Sequence, residues 1–551
     1  MVRTNSHRKN SRDGISTLAD SDEITPLLEA QRSGYVTFPD SDEEWKRPAS
    51  FWFIELALWA NVFLAGFDST ITASTYAAIS SELKASNQAA WLTTSYLITS
   101  TAFQPLYGRF SDMFGRRICF FISTLTFMAG CLGCSVAHDM WTLVFMRGLT
   151  GFGGGGLITM ATVINSDLIP FRQRGMYQAM QNILVGFGAV LGSGIGGILL
   201  ERMNWRWCFG LQVPVSILAL VTGWIVLENP EHTIMELDPK SRFRSALNKL
   251  DVSGSLLLVT GLVFQLVGLS CGGNEYAWES KAVVSTVLVS IALLAGFAVV
   301  EAKTRAIPMI PLRMLGEFQP IAVQATNVFV GFSSYAFMFM IPLYFQAVRS
   351  DSPSAAGLRL IVPSLATPVG GVIAGWMMQR GYRLCCNVRI GTALMLLGNL
   401  LAMSMGRSGS RWKEFFYLVP ANLGLGITNP SCLFSFVSLF DHTDQAVATS
   451  TVYLLRSLGS IYGVTVTAAI VQNVLKTGLP AVLGEDATEL IEILRKSVSA
   501  INDLPAEQQV AVRGLYAHAV RVSFAASSAF ALLAFAFSWA HRTSSMTREV
   551  K

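Results

Sequence analysis

Fourteen apolar runs dominate this chain, near 53–78, 88–107, 118–136, 141–163, 177–200, 208–227, 252–271, 282–300, 320–347, 359–378, 389–405, 415–439, 447–473 and 518–540. Each approaches or exceeds the ~20 residues with which a helix crosses a ~30 Å hydrocarbon layer. Lipid offers no partner to a bare backbone, so runs of this length and continuity are expected as helices. The fold class that follows is an all-α polytopic membrane protein. With 52% hydrophobic and 14% charged residues, the composition leaves little for a large soluble domain. A net charge of +5 over 551 residues gives no footing for a nucleic-acid partner, and the lipid bilayer is the expected surroundings. The eight cysteines lie mostly inside apolar runs, without the framework of a small secreted domain.

Residues 1–50 are polar and lack helical periodicity, and are expected to be a disordered cytosolic tail with no cleavable signal. Glu23-Ile-Thr-Pro-Leu-Leu28 has the acidic dileucine pattern that sorting adaptor complexes read; the alternative is a chance match. The short loops after even-numbered runs hold Arg109, Arg116, Arg117, Arg172, Arg174, Arg380 and Arg383, whereas odd-numbered loops hold fewer bases. The positive-inside rule then places both termini in the cytosol, and the long loop 474–517 on the lumenal side.

An internal repeat divides the spans. Asn61-Val-Phe-Leu-Ala parallels Asn327-Val-Phe-Val-Gly at an offset of 266, and the same offset carries Gly115-Arg116-Arg117 onto Gly381-Tyr382-Arg383. Two matches at one offset point to duplication, as in transporters built from related bundles. The expected organisation is a six-helix bundle over 51–228, a linker over 229–318 with spans 7 and 8, a second six-helix bundle over 319–541, and a tail at 542–551.

Asp68 lies well inside the first span, where a charge is costly and usually functional. With Asn61, Thr72 and Thr75 it forms one helical stripe, which is expected to face a water-filled cavity. The carboxylate either takes part in coupling or is a structural group satisfied between helices. Its repeat partner is Ser334, so any proton site belongs to one half. Arg147 sits in the fourth span at ~9 Å from the non-cytosolic end, against ~15 Å for Asp68, so the two are compatible with pairing. The alternative is an arginine that snorkels or braces helices.

Arg147 to Gly156 contains the letters of a dinucleotide-binding glycine motif, but no strand precedes it, and helix packing explains its small residues better. Cys131, Cys134 and His138 share a helical face without a visible fourth ligand, so no metal is expected. No nucleophile–base pair and no phosphate-binding loop are present, so enzymatic activity and ATP hydrolysis find no support.

Gly108-Arg-Phe-Ser-Asp-Met-Phe-Gly-Arg-Arg117, a charged loop between two spans, resembles the signature loop of the major facilitator superfamily of secondary transporters. Arg147 to Gly153 resembles that family's fourth-helix motif. Gly188 to Gly197, with Gly192 and Gly196, resembles its fifth-helix antiporter motif, although Ser193 stands in place of the usual proline. Phe67-Asp-Ser-Thr-Ile71 and Trp205-Arg-Trp-Cys-Phe209 resemble the fourteen-span drug:proton antiporter branch. The resemblance implies the major facilitator fold, two six-helix bundles plus two inserted helices, driven by a proton gradient and without cofactors. It assigns Asp68 and Arg147 to proton coupling, and Gly108, Asp112, Gly115, Arg116 and Arg117 to a conformational gate. Asn61, Asp68, Asn327 and Tyr335 are the substrate-binding candidates, and Gly188, Gly192, Gly196 and Gly197 pack helices.

Together with the dileucine tail, the chain resembles fungal vacuolar transporters of basic amino acids, which exchange lysine, arginine or histidine for protons. A plasma-membrane multidrug or siderophore exporter is the alternative on the same scaffold, and a non-transporting nutrient sensor is the alternative of another class. Replacing Leu27 and Leu28 by alanine is expected to move a fluorescently tagged protein from the vacuolar to the plasma membrane. An unchanged location under the microscope would remove the sorting role.

Overall fold

The computed structural model describes residues 47–541, apart from 84–88, 228–250, 273–275, 407–410 and a few positions in other connections. Glu23, Leu27 and Leu28 lie outside the described residues. Fourteen long helices follow one another: α1 Phe51–Glu82, α2 Ala89–Phe114, α3 Arg116–Val136, α4 Met140–Leu168, α5 Phe171–Arg202, α6 Arg206–Val226, α7 Val252–Cys271, α8 Lys281–Lys303, α9 Phe318–Leu343, α10 Pro353–Gln379, α11 Leu384–Met403, α12 Arg411–Val437, α13 Gln445–Leu483 and α14 Ala506–Ser538. Among the described residues there is no β-strand. Nine of the helices are apolar and long enough to cross a membrane on composition alone. The other five, α2, α4, α5, α10 and α12, carry the glycines, prolines and hydroxyls. Those helices face other helices more than lipid, so their sequences need not be uniformly apolar.

The helices form two sets with the same internal pairings. In the first set α1 packs on α5 and α6, α4 on α2 and α3, and α3 on α6; in the second, α9 packs on α13 and α14, α12 on α10 and α11, and α11 on α14. The sets meet through α2 with α13 and α5 with α10, while α7 pairs with α8 and leans on α2.

Glycines set the approach within each set. A Cβ on Gly188 or Gly192 of α5 would strike the carbonyl oxygens of Phe63 and Phe67 in α1. A Cβ on Gly459 or Gly463 of α13 would strike those of Val328 and Phe332 in α9 in the same way. The second pair of glycines is the structural counterpart of the first, hidden from an ungapped comparison because its offset is 271 rather than 266. The turns repeat too: Gly115 between α2 and α3 has φ 98°, and Gly381 between α10 and α11 has φ 78°. L-residues with side chains seldom adopt that region, which explains why both copies keep glycine there.

The segment 474–517 departs from the expected loop. Helix α13 continues through 474–483 and α14 begins at 506, and Leu475 and Leu479 share one buried cluster with Val512, Tyr516 and Ala519. The amphipathic stretches therefore fold as helix because they have each other to pack against. At the start of α4, Asp139 caps the helix by accepting from the Thr142 amide and hydroxyl, which hold its carboxyl below the usual carboxylate range.

Gly192→Leu and Gly463→Leu are each expected to lower the melting temperature of the purified protein in detergent, since overpacking costs ~1–3 kcal/mol where neighbours cannot yield. Gly406→Leu is the control, because among the described residues nothing lies within 4 Å of its added Cβ. Equal melting of all three would show that these glycines do not set the helix approach.

Candidate functional site

Asp68 and Arg147 meet. Arg147 Nη1 donates to Asp68 Oδ1 at 2.8 Å and Oδ2 at 3.0 Å, and the side chains are 1% and 0% exposed respectively. Three groups not singled out in the sequence complete the site. Gln212 Nε2 of α6 donates to Asp68 Oδ1 at 3.3 Å, Arg147 Nε donates to the Leu92 carbonyl at 3.2 Å, and the Tyr96 ring lies 4.6 Å from the guanidinium carbon. Helices α1, α2, α4 and α6 thus converge on one ion pair. Buried charge is tolerated where it is paired and hydrogen-bonded, and removing one partner of such a pair costs ~3–5 kcal/mol.

The rest of the stripe behaves differently from expectation. Asn61 donates its Nδ2 to Thr124 Oγ1 of α3 at 2.8 Å, two turns from Asp68, and Thr72 and Thr75 bond back to carbonyls of their own helix. All four residues are buried, so the stripe serves contacts inside the first set of helices and faces no open cavity. Glu55, on the same helix, was missed: it is fully buried beside Asn165 with neither oxygen hydrogen-bonded.

The loop after α2 is organised by Arg116. Its Nη1 donates to Asp112 Oδ1 at 2.6 Å and to Ser111 Oγ at 3.0 Å, and its Nε to Asp167 Oδ2 at 2.7 Å. Asp167, at the end of α4, is the partner the sequence reading lacked. Gly108 packs against Ala446 and Ser450 of α13, on the seam between the two sets. Arg117 lies elsewhere: it donates to the Trp224 carbonyl at 3.1 Å and stacks on the Trp224 ring, on the outside of α6. Its long side chain reaches outward because the helix turn after Gly115 points it away from Asp112. Cys131 and Cys134 are buried while His138 is exposed, so the three do not converge.

Between the sets, contacts gather at the end holding the 108–117 loop. Arg174 Nη1 donates to Gln445 Oε1 at 2.9 Å, the Thr162 and Tyr453 hydroxyls meet at 2.9 Å, and Ser457 donates to Gln104 Oε1 at 3.3 Å. Phe171 and Phe434 add an edge-on ring contact. Toward the other end the helices leave a cavity of about 380 Å³, lined by Thr94, Leu97, Tyr335, Phe339, Ser457 and Gln472 among others. Tyr335 therefore faces the cavity. Asn327 does not: it is buried, donating to the Val452 carbonyl at 2.8 Å and accepting from Arg456 Nε at 3.0 Å.

Arg456 escaped the sequence reading although the criterion that found Arg147, an arginine inside an apolar run, applies to it equally. Residues 58–464 match the sequence profile of the Major Facilitator Superfamily. The chain belongs to the major facilitator superfamily. It is 43% identical to the vacuolar basic amino acid transporter 2 of Saccharomyces cerevisiae, over 76% of this chain and 90% of that one. It is 35% identical to the multidrug resistance protein fnx1 of Schizosaccharomyces pombe, over 89% and 91%. The solved proton:xylose symporter XylE shares the fold at a TM-score of 0.56 and 17% identity, over 89% and 95% of the two chains. The two matched sets of helices are the two halves of this superfamily's fold, and α7 and α8 are inserted between them.

In the purified transporter, Asp167→Asn is expected to slow substrate exchange as much as Asp112→Asn does, with little change in apparent affinity. Arg117→Ala should stay within about twofold of wild type, as for a surface contact. A slow Arg117→Ala exchanger beside a normal Asp167→Asn would reverse this assignment.

Proposed function

We propose that this chain is a proton-coupled antiporter that moves basic amino acids, lysine, arginine and histidine, across the vacuolar membrane by alternating access. The observation that carries the substrate reading is the 43% identity to a protein named as a vacuolar basic amino acid transporter, spread over nearly the whole of that relative. The coupling reading rests on the fully buried Asp68–Arg147 pair. Protonating Asp68 removes its attraction for Arg147 and frees α1 and α4 to shift relative to α6. In a low-dielectric setting that is a difference of several kcal/mol between two arrangements, enough to couple a proton to a conformational change.

With both termini in the cytosol, the sealed end bearing Arg116, Asp112 and Asp167 is cytosolic, and the cavity opens toward the lumen. This is the arrangement from which an antiporter releases its substrate into the lumen. The charged loop then works as a latch: Arg116 ties α3 to α2 and α4, and keeps Gly108 seated against α13. The 23–28 signal fits the same compartment by offering an adaptor its address. The likeness to a multidrug resistance protein supports a second reading, in which the same scaffold exports cationic drugs.

The test is proton-gradient-driven uptake of labelled lysine, arginine and histidine into vesicles holding the full-length protein, with Asp68→Asn in parallel. Uptake that collapses with a protonophore and falls at least ~10-fold in the variant is expected, because the variant loses the ionised partner of Arg147. Absence of amino acid uptake with drug efflux intact would favour the second reading. Normal proton-driven uptake in Asp68→Asn would take Asp68 out of the coupling.

A further inference from the structure

Arg456 differs from the arginines whose ion pairs the structure describes inside the protein. It has neutral partners, as does Arg174, which lies at the seam near the 108–117 loop and donates to Ile169 and Gln445. Arg147 has Asp68, Arg116 has Asp112 and Asp167, and Arg349 and Arg359 share Glu414. Among the described residues no carboxylate lies within ion-pair distance of Arg456, which sits twelve residues into α13. Its guanidinium is instead held by neutral groups: Nε donates to Asn327 Oδ1 at 3.0 Å, Nη2 to the Asn429 carbonyl at 3.1 Å, and the Tyr453 ring lies 5.7 Å away. Asn327 is itself fixed by donating to Val452 and Gln324, so its oxygen is presented to the arginine. Nη1 has no protein acceptor among the described residues. An uncompensated cation at this depth is expensive, and a fold that retains one holds a place for an anion.

The next residue, Ser457, and Ser460 one turn on both line the 380 Å³ cavity, as does Tyr335. That volume falls within the ~300–1,000 Å³ of small-molecule sites. No charged side chain lines the cavity; Arg456, Asn327 and Asn429 are not among its lining residues, and Arg456 adjoins it through Ser457. A second observation specifies what the anion belongs to. Asn429 Oδ1 is buried and accepts no hydrogen bond, while the carbonyl of the same residue touches Arg456. The donor Arg456 and the unfilled acceptor Asn429 Oδ1 thus belong to two residues in hydrogen-bond contact, a pairing that suits a zwitterion.

We propose that Arg456 binds the α-carboxylate of the transported amino acid and Asn429 Oδ1 its α-ammonium group, with Asn327 positioning the guanidinium. The assignment rests on the amino acid reading above and specifies its recognition chemistry. Arg456 would thus read the part common to lysine, arginine and histidine, and leave the side chain to the remainder of the cavity. A planar guanidinium suits a carboxylate through paired N–H donors, which a lysine ammonium does not reproduce.

The experiment is competition against labelled arginine uptake in proteoliposomes containing the full chain, using unlabelled arginine and agmatine, which is arginine without its carboxylate. Wild type should prefer arginine by about tenfold or more, the scale of one lost charge-assisted hydrogen bond pair. Arg456→Gln should weaken arginine to the level of agmatine while leaving agmatine unchanged, and Arg456→Lys should recover part of the preference. Agmatine competing as well as arginine in wild type, a comparison that needs no variant to fold, would overturn the assignment. So would an Arg456→Gln protein that binds both ligands equally less well. Wild type that takes up none of the three basic amino acids would instead fail the function reading, and this inference with it.

Discussion

A charge in hydrocarbon has to be answered by another charge or by water, and the first half of this protein is arranged around one such answer. Asp68 and Arg147 are buried together, and four helices supply the groups that complete their hydrogen bonds. Because the pair is far stronger in a low-dielectric setting than at a surface, its state decides how α1, α4 and α6 fit. A proton on Asp68 converts an ion pair into a neutral acid beside a stranded arginine. The packing around it then has a reason to change, which a surface salt bridge would never supply.

Motion of that kind needs helices that pack closely without interlocking. The crossings of α1 with α5 and of α9 with α13 meet that need by the same device, glycines laid against backbone carbonyls. Backbone against backbone leaves no knobs to climb over, so two helices tilt about such a contact more readily than across interdigitated leucines. The seam between the halves is different in character. Near the 108–117 loop it is latched by polar pairs such as Arg174 with Gln445 and Thr162 with Tyr453, each of which water can replace when the seam opens. Close apolar-like crossings inside each half and exchangeable polar contacts between halves favour rigid bundles that rock.

Much of this was legible in the sequence because the bilayer penalises ambiguity. Run length gave the helices, the repeated Asn-Val-Phe and Gly-x-Arg motifs gave the two halves, and an aspartate in an apolar run marked itself. What escaped did so for physical reasons. The stripe from Asn61 to Thr75 has the periodicity of a cavity lining, yet periodicity reports only that a face is not lipid; here that face packs on α3 and α4. Arg117 shares a motif with Arg116, but one step along a helix rotates the side chain by ~100°, which takes it from the latch to the Trp224 surface. Asp167 and Gln212 lie far along the chain from their partners, and only folding brings them to Arg116 and Asp68. The counterparts of Gly188 and Gly192 were masked by a five-residue change of offset.

The duplication makes the difference between the halves informative. Where the first half places Asp68, the second places Ser334, which bonds only to its own helix at Gly331. The second half instead keeps Arg456 with neutral partners around it and, among the described residues, no carboxylate within ion-pair distance. The second half has ion pairs of its own, Arg349 and Arg359 with Glu414, but they do not reach Arg456. On the proposed reading, the first half has a charge balance that a proton upsets, and the second has one that an incoming anion completes. The 380 Å³ cavity lies between the two, lined by Ser457 and Ser460 on the Arg456 helix and by Thr94 and Leu97 on the helix that holds Tyr96. The same reading separates substrate occupancy of one half from protonation of the other in space. On that reading, coupling between the two would then be a free energy passed between separate sites, so that each ligand's affinity depends on the state of the other.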